Sequence, residues 1–339
     1  MKILGLETTC DETAAAVIDG SGALLSNVVF SQIDIHKKYN GVVPELASRA
    51  HAQRVGEVLE EAVACLGKER PSLDYVAFAN GPGLPGALLV GKIAAEAAAR
   101  LYGAKLVGVN HLEGHLAACE LSGEKGVDPL PFPLVALVVS GGHTELWLCK
   151  GYGDCRVLGR TRDDAAGEAF DKVAKLLGLG YPGGPVVEKT AKLSTSSDIR
   201  FPRPTMKGTW EFSFSGLKTS VSYFMRDNPS AKPEDICAEF QRSVVDTLAG
   251  KLMLAARKYG VKCVAVGGGV AANGPLRERI ADEAARAGMT ARFVERRFCT
   301  DNGAMIALAG LHKIRAGRLT DGPIRINPEM RVSRWGVSK

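Results

Sequence analysis

The fold is decided by KILGLETTCDETAAAVID (residues 2–19) and LVALVVSGGHTELWLCK (residues 134–150), which open the two halves of the chain. Each stretch places an apolar, β-prone run before a small polar turn and a second apolar run after it, the pattern of a β-hairpin. Alternating strands and helices then follow in both halves. The sequence therefore predicts an internal duplication at the level of pattern, with two similar α/β lobes and a central cleft between them.

A stretch rich in Gly and Pro separates the halves. SGEKGVDPLPFP (residues 122–133) lacks any periodicity and is typical of a connection between lobes. We therefore expect a first lobe over residues 1–121 and a second lobe over residues 134–339, the latter with an inserted segment at about 180–232. The last helix, over residues 301–316, is expected to pack back toward the first lobe.

The composition is that of an ordinary globular protein. The 339 residues include 43 basic and 37 acidic side chains, a net charge of +6, and 46% of the residues are hydrophobic. This balance excludes a strongly basic nucleic-acid arm and an acidic tail, but it leaves room for a local basic patch.

Location and redox state can also be inferred. No apolar run approaches the roughly 18–20 residues of a membrane span, and Glu7 comes too early for a signal peptide. Eight cysteines contain no C-x-x-C pair. We expect a cytoplasmic protein whose cysteines are reduced, small, buried side chains.

A pair of histidines carries the clearest chemical signal. His111 and His115 are four residues apart on the predicted helix HLEGHLAA, so they share one face and can reach one metal ion. Glu113 is offset from that face, so the base of a metalloprotease is missing from this motif. A third ligand is needed, and Asp301 in CTDNG is either a helix N-cap or a carboxylate for a cation.

Glycine-rich turns and an acidic row indicate a polar ligand in the second half. The turn around Gly141 and Gly142 and the turn at 267–269 follow strands, and their backbone N–H groups can hold a phosphate. Asp164, Glu168 and Asp171 have the spacing of one helix face. The row is either a solvated surface or the site of a cation, a ribose or an amino acid.

Residues 200–226 combine cations with aromatic side chains. They include five basic residues and six aromatics, namely Arg200, Arg203, Lys207, Lys218 and Arg226 with Phe201, Trp210, Phe212, Phe214, Tyr223 and Phe224. Such a pattern suits an RNA backbone and unstacked bases, but it equally suits a partly buried loop with its own aromatic core.

Taken together, these motifs resemble the TsaD family, the tRNA adenosine threonylcarbamoyltransferases, in its bacterial branch. The resemblance runs from ETTCDETAAAV through GVVPELASRAH, NGPGLPGALLVGK, NHLEGHLAA, VSGGHTEL, DDAAGEAFDKVAKLLGLGYPGGP and FSFSGLKT to GGGVAANGPLRE and CTDNGAMIA, nearly the whole chain. Thr9 and Asn40 depart from the family's common residues, outside the metal and substrate motifs. The resemblance implies the actin-like ATPase fold, which agrees with the duplication.

The resemblance also implies a site and its chemistry. It implies one divalent metal, iron(II), with zinc able to replace it in vitro, bound by His111, His115 and Asp301. It implies substrate contacts at Val138, Val139, Ser140, Gly141, Gly142, Asp171, Gly184, Glu188 and Asn273. The reaction would move a threonylcarbamoyl group from threonylcarbamoyl-adenylate to the exocyclic amine of the adenosine 3′ of the tRNA anticodon. The implied partners are a smaller inactive paralogue, TsaB-like, and a P-loop ATPase, TsaE-like.

Other classes of protein remain as alternatives to this interpretation. The main one is a small-molecule kinase or ATPase with the actin-like fold. Such enzymes usually bind magnesium through oxygen ligands, so the paired histidines argue against this alternative. A glycoprotease would need a general base beside the metal, and a binding module would not need the three metal ligands.

Overall fold

The computed structural model describes residues 1–67, 72–122, 126–195, 198–204, 208–319 and 322–335. The chain forms two compact units. The first comprises Met1–Leu130, Gly151–Cys155 and Val294–Lys339, and the second comprises Pro131–Lys150 and Arg156–Phe293. The sequence predicts a second lobe over 134–339 whose last helix, 301–316, packs back toward the first lobe. In the structure the part from Val294 onward, which includes that helix, belongs to the first unit.

The first unit contains a five-stranded mixed sheet. Its strands are β1 (Lys2–Glu7), β2 (Glu12–Asp19), β3 (Leu24–Ser31), β4 (Tyr75–Gly81) and β5 (Lys105–Asn110). The order is β3-β2-β1-β4-β5. β1 and β3 pair antiparallel with β2, while β4 pairs in parallel with β1 and β5.

The second unit contains a sheet of the same design. Its strands are β6 (Leu134–Val139), β7 (Thr144–Cys149), β8 (Cys155–Arg160), β9 (Cys263–Gly267) and β10 (Thr290–Phe293), in the order β10-β9-β6-β7-β8. β6 pairs antiparallel with β7 and parallel with β9, which pairs in parallel with β10. The two sheets correspond strand for strand, so the predicted duplication is confirmed.

Helices cover these sheets. They are α1 (Ile33–Lys37), α2 (Pro44–Val63), α3 (Pro85–Tyr102), α4 (His111–Ala117), α5 (Ala166–Leu176), α6 (Gly183–Ala191), α7 (Ser215–Asp227), α8 (Pro233–Tyr259), α9 (Gly274–Arg286) and α10 (Gly303–Arg315). The sequence pattern does not predict α1, α6 and α7, which are short or lie in the irregular inserted segment. Within the described residues, none of these helices is long and apolar enough to cross a bilayer.

The two faces of the first sheet are covered in different ways. On one face, Leu4, Leu6 and Phe78 are buried in a core cluster that also takes in side chains of α2 and α3. Successive residues of a strand point to opposite faces, so Gly5 faces the other side, where α10 packs against β1 and β2. A side chain at Gly5 would overlap the backbone at Gly303. This close approach fixes the start of α10.

Two of the eight cysteines depart from the expectation of reduced thiols. Cys149 and Cys155, at the end of β7 and the start of β8, are joined by a disulfide bond. The other six are free thiols, of which four are buried as expected, whereas Cys10 is half-buried and Cys65 is exposed. The sequence gives no signal for this pair, because its spacing matches neither a redox nor a zinc motif.

Candidate metal centre and substrate site

Two histidines lie on the first two turns of α4. β5 ends at Asn110, whose side-chain oxygen accepts hydrogen bonds from the N–H groups of Leu112 (2.9 Å) and Glu113 (3.3 Å) and so caps the helix. His111 and His115 follow on one helix face, with ring centroids 4.7 Å apart. The sequence spacing predicted this pairing.

Asp301 completes a cluster of three possible ligands. Its Oδ1 lies 3.3 Å from Nε2 of His115 and 3.6 Å from Nε2 of His111. One ligand atom from each residue lies within 4.8 Å of the others. Asn302, not Asp301, is the N-cap of α10, since its Oδ1 accepts from the N–H of Met305 at 3.0 Å. The interpretation of Asp301 as a helix cap is therefore wrong.

The cluster fits a divalent cation. His115 is fully buried, and in the part of the chain that the structure describes neither of its ring nitrogens makes a hydrogen bond, although Nε2 is close to Asp301. A buried polar group without a partner is costly unless something else satisfies it. Ligands at about 2.0–2.1 Å from one tetrahedral ion lie about 3.3 Å from each other, and the distances from Asp301 Oδ1 to the two histidine Nε2 atoms, 3.3 and 3.6 Å, are close to that value.

Glu7 supports this cluster, although the sequence pattern does not predict that role. Its carboxylate is fully buried and lies 2.9 Å from Nδ1 of His111, while Oγ1 of Thr9 lies 3.2 Å from the same nitrogen. A carboxylate on the second ring nitrogen commonly orients a histidine that binds metal through the first. The available signal was an acid at the end of β1, directly after the apolar residues 3–6.

The acidic groups set the protonation of His111. Burial disfavours the charged imidazole, but the negative charges of Asp301 and Glu7 outweigh burial and raise the pKa of His111 to about 9. Without a metal, His111 therefore carries a proton at neutral pH. A cation that binds at Nε2 must displace that proton.

Glu113 lies on the other side of α4, as its offset in the motif predicted. It is 5% exposed, and its carboxylate accepts a hydrogen bond from Nε1 of Trp335, at 3.1 Å to Oε1 and 3.2 Å to Oε2. Burial raises the pKa of Glu113 to about 7, although the Lys313 charge and the Trp335 hydrogen bond act against it. Glu113 thus anchors the C-terminal segment rather than serving the metal cluster.

Glu113→Gln should change how stability depends on pH. Because the folded-state pKa of about 7 lies above the ordinary value of 4.5 for a glutamate, the folded chain binds this proton more tightly. The resulting stabilisation is complete below pH 4.5 and is lost as the pH rises toward 7, by about 3 kcal/mol at ~1.4 kcal/mol per pKa unit. The glutamine variant should lack this decline. Urea unfolding of both proteins at about pH 5 and pH 8 measures it, and an equal decline in both would contradict the assignment.

In the second unit, the end of β6 and the turn after it contain five of the expected substrate contacts. Val138 and Val139 are buried at the end of the strand, and Gly141 and Gly142 are exposed in the turn. The N–H of Ser140 is already bonded to His143. A side chain added at Gly141 or Gly142 would meet no atom within 4 Å, and among the described residues no acceptor is bonded to their N–H groups.

The other expected contacts are tied to neighbouring helices. Asp171 of α5 accepts a hydrogen bond from the N–H of Gly183 at 2.7 Å, which fixes the start of α6 and places Gly184 beside it. Glu188 of α6 lies 3.2 Å from Nδ2 of Asn273. Asn273 caps α9. These residues thus form two hydrogen-bonded groups, one at Asp171 and the start of α6 and the other at Glu188 and Asn273.

A further partner of Asn273 had no signal in the sequence. Oε1 of Gln241, from the long helix α8, accepts from Nδ2 of Asn273 at 2.9 Å. Glu188 also bonds the N–H of Gly274 at 3.3 Å and pairs with Lys192 at 3.2 Å. The carboxylate of Glu188 therefore holds the start of α9 in place.

The prediction of an acidic row on one helix face is wrong. α5 begins at Ala166, so Asp164 precedes the helix. Lys172 pairs with Asp164 at 2.7 Å and with Glu168 at 2.9 Å. These two acids form a partly solvated ion-pair group, and Asp171 alone is set apart by its bond to Gly183.

The stretch 200–226 differs from an open RNA surface. Phe201, Phe212 and Phe214 are buried, so they form a local core. Arg203 pairs with Glu239 and with Asp246. Lys207 lies outside the described residues. The buried rings and the paired Arg203 are not available to RNA, so for these residues the structure favours the second alternative, a partly buried loop with its own aromatic core.

Comparison with solved structures shows the fold class of this chain. Over 93% of the chain, HypF from T. kodakarensis superposes with a TM-score of 0.62 at 18% identity, and the match covers 48% of HypF, about half its length. The activator of the 2-hydroxyisocaproyl-CoA dehydratase from Clostridium difficile matches 96% of the chain with a TM-score of 0.53 at 15% identity, over its full length. These likenesses confirm the actin-like ATPase fold.

Sequence comparisons identify the family. A tRNA N6-adenosine threonylcarbamoyltransferase from Anaeromyxobacter dehalogenans is 48% identical over 98% of this chain and 99% of its own. One from Symbiobacterium thermophilum is 50% identical over 93% of this chain and 92% of its own. Residues 23–308 match the family TsaD, described as tRNA N6-adenosine threonylcarbamoyltransferase. The chain therefore belongs to the TsaD family, the tRNA N6-adenosine threonylcarbamoyltransferases.

Proposed function

We propose that this transferase moves a threonylcarbamoyl group from threonylcarbamoyl-adenylate to the exocyclic amine of the adenosine 3′ of the tRNA anticodon. The observation that carries the proposal is the near-complete match to tRNA N6-adenosine threonylcarbamoyltransferases, joined to a buried His–His–Asp cluster fit for a cation. The alternative of a small-molecule kinase or ATPase shares only the fold and is not favoured by the family match.

We propose that His111, His115 and Asp301 hold one iron(II) ion, with zinc able to replace it in vitro. Two imidazoles and one carboxylate suit both metals. When bound, the ion would supply positive charge to hold the donor or polarise its carbonyl group. Glu7 would keep His111 oriented with Nε2 toward the ion.

The glycine turn is the proposed site for the donor's phosphate. Gly141 and Gly142 are exposed, and among the described residues their N–H groups have no hydrogen-bond acceptor. The start of α5 packs against the turn, with the N–H of Glu168 bonded to the carbonyl oxygen of Gly141 at 3.1 Å. Backbone N–H groups held in this way bind anions without a lysine. Asp171 and Glu188 would bind hydroxyl or amino groups of the ribose or the threonine.

The main task of the protein in this reaction is to place the donor and the adenine amine next to each other. The donor is a mixed anhydride of a carbamic acid and AMP, so its leaving group is already good. The adenine amine attacks the carbonyl carbon, a C–N bond forms, the C–O bond to the phosphate breaks, and the amine loses one proton. Binding residues accelerate this by orienting the two reactants and by stabilising the developing oxyanion. We assign no general base.

Asp171→Asn tests the adenylate site. The variant keeps the side-chain volume and an acceptor for the N–H of Gly183, but it removes the charge. Losing one charged hydrogen bond to the donor should raise the KM for threonylcarbamoyl-adenylate about ten- to one-hundredfold, with metal content unchanged. Steady-state transfer assays measure the KM, and elemental analysis measures the metal.

Glu168→Gln is the matched control for this variant. Glu168 lies on the same helix, but it is half-exposed and paired with Lys172, so its replacement should leave the KM near the wild-type value. An unchanged KM in Asp171→Asn, or an equal rise in both variants, would contradict a specific role for Asp171.

We also propose that the chain works with the two partners that the resemblance implies, a TsaB-like paralogue and a TsaE-like P-loop ATPase. The support is an exposed apolar face on α3, where Leu89, Ile93 and Leu101 are 48%, 57% and 76% exposed. Large apolar side chains grouped on one helix favour burial against another protein. Because tRNA is the substrate, we propose the cytoplasm as the site of action.

A further inference from the structure

Four side chains of the second unit form a cluster of alternating cations and rings, which we call the cation–aromatic cluster: Arg156, Trp210, Lys258 and Tyr259. The guanidinium carbon of Arg156 lies 5.6 Å from the ring centroid of Tyr259, and Nζ of Lys258 lies 5.2 Å from that of Trp210. The two ring centroids are 6.2 Å apart. Two positive charges and two aromatic faces are therefore brought together from β8, α8 and the inserted segment.

The backbone around Trp210 is held firmly. The N–H of Phe212 bonds the carbonyl oxygen of Arg160 at 3.0 Å, which ties the segment to the edge strand β8. Nζ of Lys251, from α8, donates to the carbonyl oxygen of Thr209 at 3.2 Å. Gly159 has no side chain, and one there would overlap the Trp210 carbonyl. The backbone that carries the Trp210 ring is thus in place before any ligand arrives, which lowers the entropic cost of binding.

The charges of the cluster are open to solvent. Arg156 and Lys258 are exposed, while Trp210 and Tyr259 are half-buried. Within the described ranges, neither cation forms an ion pair with a carboxylate, and the adjacent Glu211 is paired with Arg162. This distinguishes the cluster from Arg203, whose charge is neutralised by Glu239 and Asp246.

We propose that the cation–aromatic cluster is a contact surface for tRNA, with the two cations on backbone phosphates and a ring against an unpaired base. Cations beside aromatic faces are the usual components of sites for single-stranded RNA, since phosphates need positive charge and bases stack on rings. This inference rests on the proposed function, because it takes the RNA substrate from there. The cation–aromatic cluster takes the place of the broader RNA surface predicted over residues 200–226, of which Trp210 is part.

The charge-reversal variant R156E/K258E tests the surface. Full-length protein, alone and with the two proposed partners, is titrated with tRNA that carries an unmodified adenosine 3′ of the anticodon, at several salt concentrations. Loss of two phosphate contacts should make the log–log salt dependence of binding shallower by about 1.5–2. W210A should weaken binding about 5- to 100-fold through the loss of stacking.

Lys232→Glu is the matched control. Lys232 is exposed at the start of α8, about 40 Å along the helix from Lys258, and the substitution changes the net charge as K258E does. Lys232→Glu should leave the salt dependence of tRNA binding unchanged. Neither R156E/K258E nor Lys232→Glu should alter adenylate binding or metal content. If wild-type protein binds and modifies tRNA while R156E/K258E keeps its affinity and salt slope, the surface is wrong and the proposed function stands. If wild-type protein neither binds nor modifies tRNA, both are wrong.

Discussion

Replacing His111 and His115 together by alanine should abolish binding of the divalent cation and lower threonylcarbamoyl transfer about a thousandfold. The cluster offers three ligand atoms within 4.8 Å, and two of the three are removed. A cation that stabilises charge in the transition state contributes several kcal/mol, and ~4 kcal/mol corresponds to about three orders of magnitude in rate. Transfer to tRNA and metal content are measured on the same preparation.

Two further variants make this result specific. Asp301→Asn keeps the side-chain volume and should also lose the metal, which separates ligation from cavity effects. His312→Gln replaces a histidine of the same unit that bonds Glu120 at 2.8 Å, so it should keep full metal content and transfer activity. Wild-type rates in the double alanine variant would contradict a catalytic role for the cluster.

Gly303→Ala should destabilise the first unit by about 3 kcal/mol and weaken the metal site at the same time. A methyl group at Gly303 would overlap the backbone of Ala15 and Ala16 in β2, and neither element can move without disturbing the sheet. Overpacking of this kind typically costs about 1–3 kcal/mol, occasionally more. Because Asp301 lies two residues before Gly303, displacement of α10 also moves a ligand.

Gly56→Ala is the control for that experiment. Gly56 lies within α2, and no neighbouring atom lies within 4 Å of the point that an added methyl group would occupy. Alanine should therefore stabilise the helix by up to about 1 kcal/mol. Urea unfolding gives the stability of both variants, and competition with a chelator gives their metal affinity. Equal stability in Gly303→Ala and wild-type protein would mean that the contact between α10 and β2 does not fix the site.

Local patterns in the sequence were enough to predict the duplicated sheets and the pairing of His111 with His115, because strand alternation and helical spacing act over few residues. Asp301 is different. It is far from both histidines along the chain, and only the packing of α10 on β1 and β2 brings it to them. The family resemblance, rather than any spacing, supplied that residue.

The failures have equally specific causes. Glu7 gives little signal because an acid at a strand end is usually solvated, whereas this one is buried against His111. Asp164 was predicted on a helix that begins two residues later. The aromatic residues of 200–226 were ambiguous because sequence shows composition but not burial, and Phe212 and Phe214 proved to be core side chains.

The proposed mechanism depends most directly on a cation held by His111, His115 and Asp301. Full-length wild-type protein, prepared without oxygen and equilibrated with iron(II), can be analysed for metal content and by X-ray absorption at the iron edge. We expect one iron per chain, with two imidazole nitrogens and at least one oxygen as ligands, and a loss of that signal in Asp301→Asn. Wild-type protein without bound metal, or iron that keeps the same ligands in the variant, would contradict the proposed site.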